Sequence, residues 1–330
     1  MSALRQLVDR LRRRPVPLAL GIVFFAQIYY FQWHPAYPNP NEVIRLYLTR
    51  ALVEEGTVRV DSMMKRFGDV EDKAAYQGHF YCDKAPGVSF AAIPAVAFGR
   101  LFGPLDMKTA RHLSWLWVIV LPSLLLLLGL WRYLGRFGLG DHARALLLLG
   151  FGLGSLQFTF GTLLFSHAFA GTLAMGAFLI VSAFKAGLAK PWKLALAGFL
   201  GGFAVISEYP AVIPVFFTFV YLCWGTGWRR AWLFALAGAV PLGLWLVYNQ
   251  LAFDHPIASG YGHLADEFFS KMHQKGFMGV STPRWEAFVG SFFAPSRGLF
   301  AYAPWLLLAL PGFALPYDLI PSKDREYDPA

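Results

Sequence analysis

The chain has 330 residues, of which 56% are hydrophobic and 15% are charged, and its formal net charge is +9. Soluble domains average about 45–50% apolar and about 25% charged residues. The composition therefore excludes an ordinary soluble enzyme and indicates a protein that lies largely in a membrane. Two cysteines, Cys82 and Cys223, are too few for a disulfide framework or a cysteine metal cluster.

The first apolar stretch follows the basic segment RLRRRP, as in a signal peptide. The residues after it, FAQIYYFQWH, are bulky and aromatic and contain no small-x-small cleavage site. Aromatic side chains are enriched where helices leave the bilayer. This segment is therefore predicted to be an uncleaved first transmembrane span.

A helix needs about 20 apolar residues to cross a bilayer. Eight runs approach that length, at residues 18–32, 113–131, 145–160, 165–184, 194–207, 211–224, 231–248 and 299–313. Residues 88–102 form a shorter run that contains Pro94 and Arg100, which is typical of an interfacial or re-entrant helix. The sequence thus predicts an all-α polytopic membrane protein with about eight transmembrane helices.

The distribution of Lys and Arg predicts the orientation of these spans, because cytoplasmic loops carry an excess of both residues. With a cytoplasmic N-terminus and residues 88–102 outside the count, the whole net charge falls on the cytoplasmic side. A crossing at residues 88–102 would move most of the bases outside. We therefore predict one membrane domain, residues 1–330, with extracytoplasmic loops at 33–111 and 249–297 and no nucleic-acid partner.

The first of these loops opens with a predicted helix, in which Asn39 is the N-cap and Pro40 the first residue. An apolar stripe follows, which predicts an amphipathic helix on the outer membrane surface. Glu42 then has two interpretations. It either returns a hydrogen bond to the backbone of Asn39 in a capping box, or it is a carboxylate at the mouth of the helix bundle that acts as a general base.

The stretch GDVEDKAAYQGHFYCDKAPG follows, and Gly78 predicts a turn between Tyr76 and the extended residues HFY. Lys84 is a compact cation on a flexible stem and suits a phosphate. Asp83 would orient Lys84 or bind a sugar hydroxyl. The alternative is that Asp83 and Lys84 form a solvated ion pair beside an interfacial helix.

The order of these features resembles the GT-C superfamily of integral-membrane glycosyltransferases, in particular the lipid A aminoarabinose transferases and protein O-mannosyltransferases. Members of that branch open the first outer loop with an acidic pair, where this chain has Asn41 and Glu42. A motif G-x-x-Y-x-[DE]-K-x-P follows, and it is matched here by Gly78, Tyr81, Asp83, Lys84 and Pro86. The resemblance extends along most of the chain, although relatives commonly have more spans.

The resemblance implies transfer of a sugar from a polyprenyl-phosphate carrier to a lipid, glycan or protein outside the cytoplasm, in the inner membrane. Glu42 would be the base, since Asn41 stands where relatives have Asp, with Asp83 beside it. Lys84 would hold the phosphate, and Arg45, Arg111 and Arg297 are further candidates for the same anion. No cofactor is called for, and a divalent cation stays open because some relatives use one.

His167 and Glu208 lie at the outer ends of predicted spans, where ionisable groups are either functional or reach lipid headgroups and water. We therefore include both among the candidate substrate-binding residues. Two other function classes stay open. The substitution at Asn41 favours an inactive GT-C-like scaffold. A transporter would carry charges at the bilayer midplane in repeated, broken spans, a pattern that this sequence lacks.

Overall fold

A computed structural model describes residues 14–33, 39–226, 228–273, 282, 284–296 and 298–314. The chain is mostly helical and folds as two compact units. The first unit comprises Met1–Phe31, Ser123–Thr162 and Pro283–Ala330, and the second comprises Gln32–Pro122 and Leu163–Thr282. The segment predicted as one membrane domain therefore contains two compact units.

The elements follow one another in a simple order. The helices are α1 Pro15–Tyr30, α2 Pro40–Glu55, α3 Asp61–Phe67, α4 Gly87–Arg100, α5 Met107–Gly135 with a π-helical turn at Leu116–Val120, α6 Asp141–Leu153, α7 Leu156–Gly161, α8 Ser166–Lys185, α9 Lys193–Ser207, α10 Val212–Thr226, α11 Trp228–Phe253, α12 Glu267–His273, α13 Trp285–Phe293, α14 Leu299–Tyr302 and α15 Ala309–Ala314. Short 3₁₀ turns lie at Tyr209–Ala211, Gly260–His263 and Pro304–Leu308, and two strands, β1 Ala74–Tyr76 and β2 His79–Tyr81, lie between α3 and α4.

Three helices are long and apolar enough to cross a membrane: Met107–Gly135, Ser166–Lys185 and Arg230–Phe253. They coincide with three of the eight predicted spans. Four further apolar helices are shorter, at Pro15–Tyr30, Gly87–Arg100, Lys193–Ser207 and Tyr209–Trp224. The structure therefore has three helices of spanning length among the residues that it describes.

Two of the predicted spans are interrupted. The run 145–160 divides at Gly154, between α6 and α7. The run 299–313 consists of α14, a 3₁₀ turn and α15, so our prediction of one continuous helix there is wrong. Pro304 and Pro311 explain the division, since proline lacks the N–H that a helix interior needs and clashes with the preceding turn.

Close helix packing builds the core of each unit. In the first unit α1 packs against α6, where Gly152 faces Val23. In the second unit α9 packs against α11, and a Cβ atom on Gly198 would overlap the carbonyl of Phe234. Glycines at such contacts let two backbones approach closely, which favours helix association in membranes.

Helix α2 differs from the amphipathic surface helix that we predicted. Most of its apolar residues are buried, and its polar side chains Arg45, Thr49 and Arg50 are buried as well. Residues 44–51 are therefore enclosed by protein on every face, whereas residues 52–55 are half-buried or exposed. The prediction is wrong because polar side chains of the helix form hydrogen bonds with other residues of the second unit, where the prediction expected contact with water.

The predicted turn at Gly78 is confirmed. Strands β1 and β2 pair in antiparallel fashion, and Gln77 and Gly78 connect them with φ angles of 49° and 79°. Two consecutive positive φ angles are typical of the type I′ turn, which fits the twist of a hairpin. The hairpin shares a hydrophobic core with α2 and with the last turns of α11, which fixes the start of the Asp83-Lys84 segment.

Candidate functional site

Arg45 lies at the centre of the candidate site, and its side chain is only 3% exposed. Its Nε atom donates to Oδ1 of Asn41 at 3.0 Å, Nη1 donates to the carbonyl of Ala85 at 3.1 Å, and Nη2 donates to Oγ of Ser166 at 3.2 Å. All three partners are neutral. A buried charge held by neutral hydrogen-bond partners is costly. Its field also acts on the nearby carboxyl groups of Glu208 and Asp83.

Glu42 and Arg111 form a buried ion pair next to Arg45. The Nε atom of Arg111 lies 2.9 Å from Oε2 of Glu42, and Nη2 lies 3.2 Å from Oε1. The backbone N–H of Leu164 also donates to Oε1, at 2.6 Å. Glu42 is 2% exposed, so its carboxylate is enclosed and both oxygens are bonded.

This geometry excludes one of the two interpretations of Glu42. Asn39 is the N-cap, as predicted, and its side chain accepts a hydrogen bond from the backbone of Asn41. The capping-box interpretation of Glu42 is wrong, because the carboxylate turns to Arg111 and Leu164. A proton acceptor must reach its substrate, and Glu42 would have to leave Arg111 to do so.

Ser166 and His167, at the start of α8, both contact Glu208, which follows α9. The Ser166 hydroxyl donates to Oε2 of Glu208, and Nδ1 of His167 lies 3.3 Å from the same oxygen. Burial raises the pKa of Glu208, but the hydrogen bonds from His167 and Ser166 outweigh burial and lower it below its usual value. Glu208 is therefore an ionised carboxylate that holds the histidine ring.

Asp83 and Lys84 form a buried pair, so the alternative of a solvated pair is wrong. The Lys84 ammonium lies 2.6 Å from Oδ2 of Asp83 and 3.2 Å from Oδ2 of Asp72, and the Asp83 side chain is 1% exposed. Burial lowers the pKa of Lys84, but the two aspartates outweigh burial and raise it. Burial raises the pKa of Asp83, against the opposing effect of Lys84.

A polar cleft of about 180 Å3 adjoins this pair, and Asp72, Asp83, Lys84 and Tyr261 line part of it. The Lys84 ammonium is 6.0 Å from the centre of the Tyr261 ring. Gly260 packs directly on Asp83, since a Cβ atom there would lie 2.5 Å from the Asp83 Cα atom. The glycine lets the second predicted loop close over the Asp83-Lys84 segment.

The structure thus brings eight of the candidate side chains together in the second unit, where hydrogen bonds, ion pairs and adjacent backbone connect them: Asn41, Glu42, Arg45, Asp83, Lys84, Arg111, His167 and Glu208. The ninth candidate, Arg297, lies outside the described residues. Sequence reasoning missed Ser166 and Asp72. Ser166 directly precedes the candidate His167, and Asp72 lies in the stretch GDVEDKAAYQGHFYCDKAPG, but nothing in the sequence gives their partners.

Among the residues that the structure describes, no three His, Cys, Asp or Glu side chains are arranged to hold a metal ion. The arrangement offers instead a buried guanidinium, an ammonium between two carboxylates, and a histidine held by a carboxylate. Such groups can bind an anion and accept a proton. Comparison with known proteins adds nothing to this geometry, because no protein-family model, curated protein or solved structure matches the chain.

Proposed function

We propose that this protein is a membrane glycosyltransferase that moves a sugar from a polyprenyl-phosphate carrier to a lipid, glycan or protein acceptor. The supporting observation is the gathering of cations and carboxylates at the ends of long apolar helices. Arg111 lies near the start of α5, His167 lies at the start of α8, and Glu208 follows the end of α9. A lipid-borne phosphate reaches such a place directly from the bilayer.

In this proposal Arg45 is the main contact of the phosphate. The carrier phosphate keeps its negative charge when the sugar leaves, and a preorganised buried cation stabilises that charge. The three partners of Arg45 are neutral, whereas the Lys84 ammonium is shared by Asp83 and Asp72. Lys84 is the second contact, and it reaches the phosphate when its side chain turns away from the two aspartates.

The Glu42–Arg111 pair supports the proposed sidedness. Glu42 precedes helix α4 in the chain and Arg111 follows it, yet the two side chains are bonded. Two residues in direct contact lie on one face of a membrane, so α4 does not cross between them. A helix of 14 residues also spans only about 21 Å. If α1 crosses the membrane from a cytoplasmic N-terminus, this contact supports a site on the extracytoplasmic face of the cytoplasmic membrane.

A second candidate function, an inactive scaffold of the same fold, is favoured by one observation. Glu42, which the family resemblance makes the base, is enclosed by Arg111 and Leu164, and its neighbour is Asn41 instead of an acid. In a scaffold, the Glu42–Arg111 pair would serve only to join α2 to α5. Turnover separates the scaffold from the enzyme.

The test is transfer of radiolabelled sugar from polyprenyl phosphate, with hexose and pentose donors, by the purified protein in nanodiscs that contain membrane lipids of the expression host. We expect Arg45→Gln to lower turnover about 100- to 1,000-fold, because it removes charge next to the leaving phosphate. Arg66→Gln is the matched control, since Arg66 is a half-exposed arginine on α3 that pairs with Glu54 at the other end of α2.

The outcomes separate the two functions. Turnover that falls in Arg45→Gln and persists in Arg66→Gln supports the glycosyltransferase. If the wild-type protein transfers no sugar from any donor in the panel, the scaffold replaces the enzyme. Arg45→Lys, which keeps the charge, guards against a folding defect. It should retain more activity than Arg45→Gln at an equal melting temperature.

A further inference from the structure

An apolar groove of about 640 Å3 runs between α8 and α10. Its lining includes Gly171, Met175 and Phe178 from α8, and Ile213, Phe217 and Tyr221 from α10. His167 precedes Gly171 by one helical turn and so lies on the same face of α8. Glu208 stands just before the start of α10. The groove therefore starts one helical turn along α8 from His167, and its lining on α10 starts at Ile213, shortly after Glu208.

The His167–Glu208 pair has the geometry of a proton acceptor with its orienting carboxylate. Nδ1 of His167 faces Glu208 at 3.3 Å, and the side chain of His167 is 47% exposed. When Nδ1–H donates to the carboxylate, the neutral ring carries its acceptor lone pair on Nε2. The carboxylate also stabilises the imidazolium that forms once Nε2 takes up a proton.

Comparison with Glu42 shows why the proton acceptor is the histidine. Glu42 is 2% exposed, and its two oxygens already accept hydrogen bonds from Arg111 and Leu164. The side chain of His167 is half-exposed and lies one helical turn from Gly171, the nearest α8 residue that lines the groove. A substrate hydroxyl carried by a lipid can approach His167 without breaking a buried ion pair.

We infer that His167, oriented by Glu208, accepts the proton of the acceptor hydroxyl, and that the acceptor is a lipid or a lipid-linked glycan whose chain lies in the groove between α8 and α10. This inference rests on the proposed glycosyltransferase function. It assigns the base to a residue other than Glu42, and it narrows the acceptor to a molecule with an apolar chain.

The transfer step forms one bond and breaks one bond at the anomeric carbon. The acceptor oxygen forms a bond to the anomeric carbon while the bond from that carbon to the carrier phosphate oxygen breaks. The phosphate leaves with the bonding electron pair, and the hydroxyl proton passes to Nε2 of His167. Ser166 joins the two ends of this process, since its hydroxyl accepts from Arg45 and donates to Glu208. The new negative charge therefore forms near Arg45, and the new positive charge forms beside Glu208.

The test is the pH dependence of sugar transfer from polyprenyl phosphate, measured for the wild type, His167→Gln and Glu208→Gln in nanodiscs. We expect His167→Gln to lower kcat about 100- to 10,000-fold. It should also abolish the fall in rate that protonation of the base causes on acidification. Glu208→Gln should cause a smaller loss of kcat with little change in KM, because the histidine keeps its proton-accepting nitrogen and loses only the carboxylate that orients the ring.

His79 and Asp61 provide the matched control, since they form a similar histidine–carboxylate pair at 3.6 Å with comparable exposure. His79→Gln should leave both the rate and the pH profile unchanged. Wild-type rate and profile in His167→Gln would overturn the inference, as would an equal loss in His79→Gln. If His167→Gln does not fold, the loss of kcat in Glu208→Gln decides, and its absence overturns the inference.

A second arm tests the groove with Gly171→Leu, which fills it from α8. We expect a raised KM for a long-chain lipid acceptor and an unchanged KM for a short-chain analogue of the same headgroup. An equal KM change for both acceptors would overturn the assignment of the groove. Absence of any wild-type transfer would instead count against the proposed function, so the two failures are distinguishable.

Discussion

Helix α2 carries a glutamate and an arginine near each of its ends, and the two ends use them differently. Near the start, Glu42 pairs with Arg111, and Arg45 contacts Ala85 and Ser166, all of which lie 40 or more residues away in the chain. Near the end, Glu54 binds Arg50 and Arg66, which lie 4 and 12 residues away. The first network joins distant segments, whereas the second is local except for Arg100, which lies 4.0 Å from Glu54.

The two networks differ in whether the arginine of α2 hydrogen-bonds to a carboxylate or only to neutral groups. In the Glu54 network each arginine contacts a carboxylate directly, and Arg66 is half-exposed. The Arg45 environment leaves a guanidinium enclosed among neutral partners. Folding gains little from such an arrangement, whereas an anion at this place gains a preorganised partner. This contrast is the basis for placing the candidate site at the start of α2.

The largest expected effect comes from breaking the buried pair at the start of α2. Glu42→Gln should cost about 3–5 kcal/mol of unfolding free energy, because it leaves Arg111 buried without its counterion. Denaturant unfolding in detergent measures this loss. Glu267→Gln is the comparison, and the loss there should be smaller because Glu267 and its partner Lys271 are both exposed.

The double variant Glu42→Met/Arg111→Met separates the loss of the ion pair from the cost of leaving one buried charge without its partner. Replacing both partners by apolar side chains of similar length should recover most of the stability, to within about 2 kcal/mol of the wild type. Recovery of stability identifies the pair as a structural device. If the single variant Glu42→Gln instead keeps full stability and loses only turnover, Glu42 is the base and His167 is not.

The sequence allowed the local features of this region to be predicted. Asn39 as N-cap and the turn at Gly78 depend on residues next to each other, and both are confirmed. The apolar runs that became α5, α8 and α11 were likewise visible, since length and hydrophobicity decide them. These features follow from backbone chemistry and composition, which a single sequence carries in full.

The direction of Glu42 could not be predicted, because its partners Arg111 and Leu164 lie 69 and 122 residues away. The prediction of a surface helix for α2 is wrong for the same reason. A polar face indicates water only when no protein partner is available, and the sequence does not contain that information. The His167–Glu208 contact is a further case, since it joins the start of one helix to the end of the next.

Acid should weaken both networks, although less than Glu42→Gln does. The pKa values of Glu54 and Glu208 are held below the usual value of 4.5 in spite of burial, by their arginine partners in one case and by His167 and Ser166 in the other. A carboxyl whose pKa is lower in the folded state than in the unfolded state stabilises the fold at pH values above the unfolded-state pKa. It loses that contribution as the pH falls through the folded-state pKa.

Melting temperatures measured as the pH falls below about 4.5 test this expectation. Glu54→Gln and Glu208→Gln should each show a shallower fall than the wild type, because one group that takes up protons on unfolding has been removed. Glu267→Gln is the control, since the side chain of Glu267 is 87% exposed. A wild-type slope in Glu208→Gln would mean that the contact with His167 does not hold the carboxylate in its ionised form.

The smallest effect is expected at the outer edge of the local network. Arg66 is half-exposed and pairs with Glu54 at 2.8 Å. Exposed ion pairs contribute about 0–1 kcal/mol, because solvent screens them and the long side chains lose conformational freedom. Arg66→Gln should therefore change the unfolding free energy by less than about 1 kcal/mol, and rising salt should reduce the difference further. A loss as large as that of Glu42→Gln would show that both ends of α2 are built alike, and the case for Arg45 as the special cation would then fail.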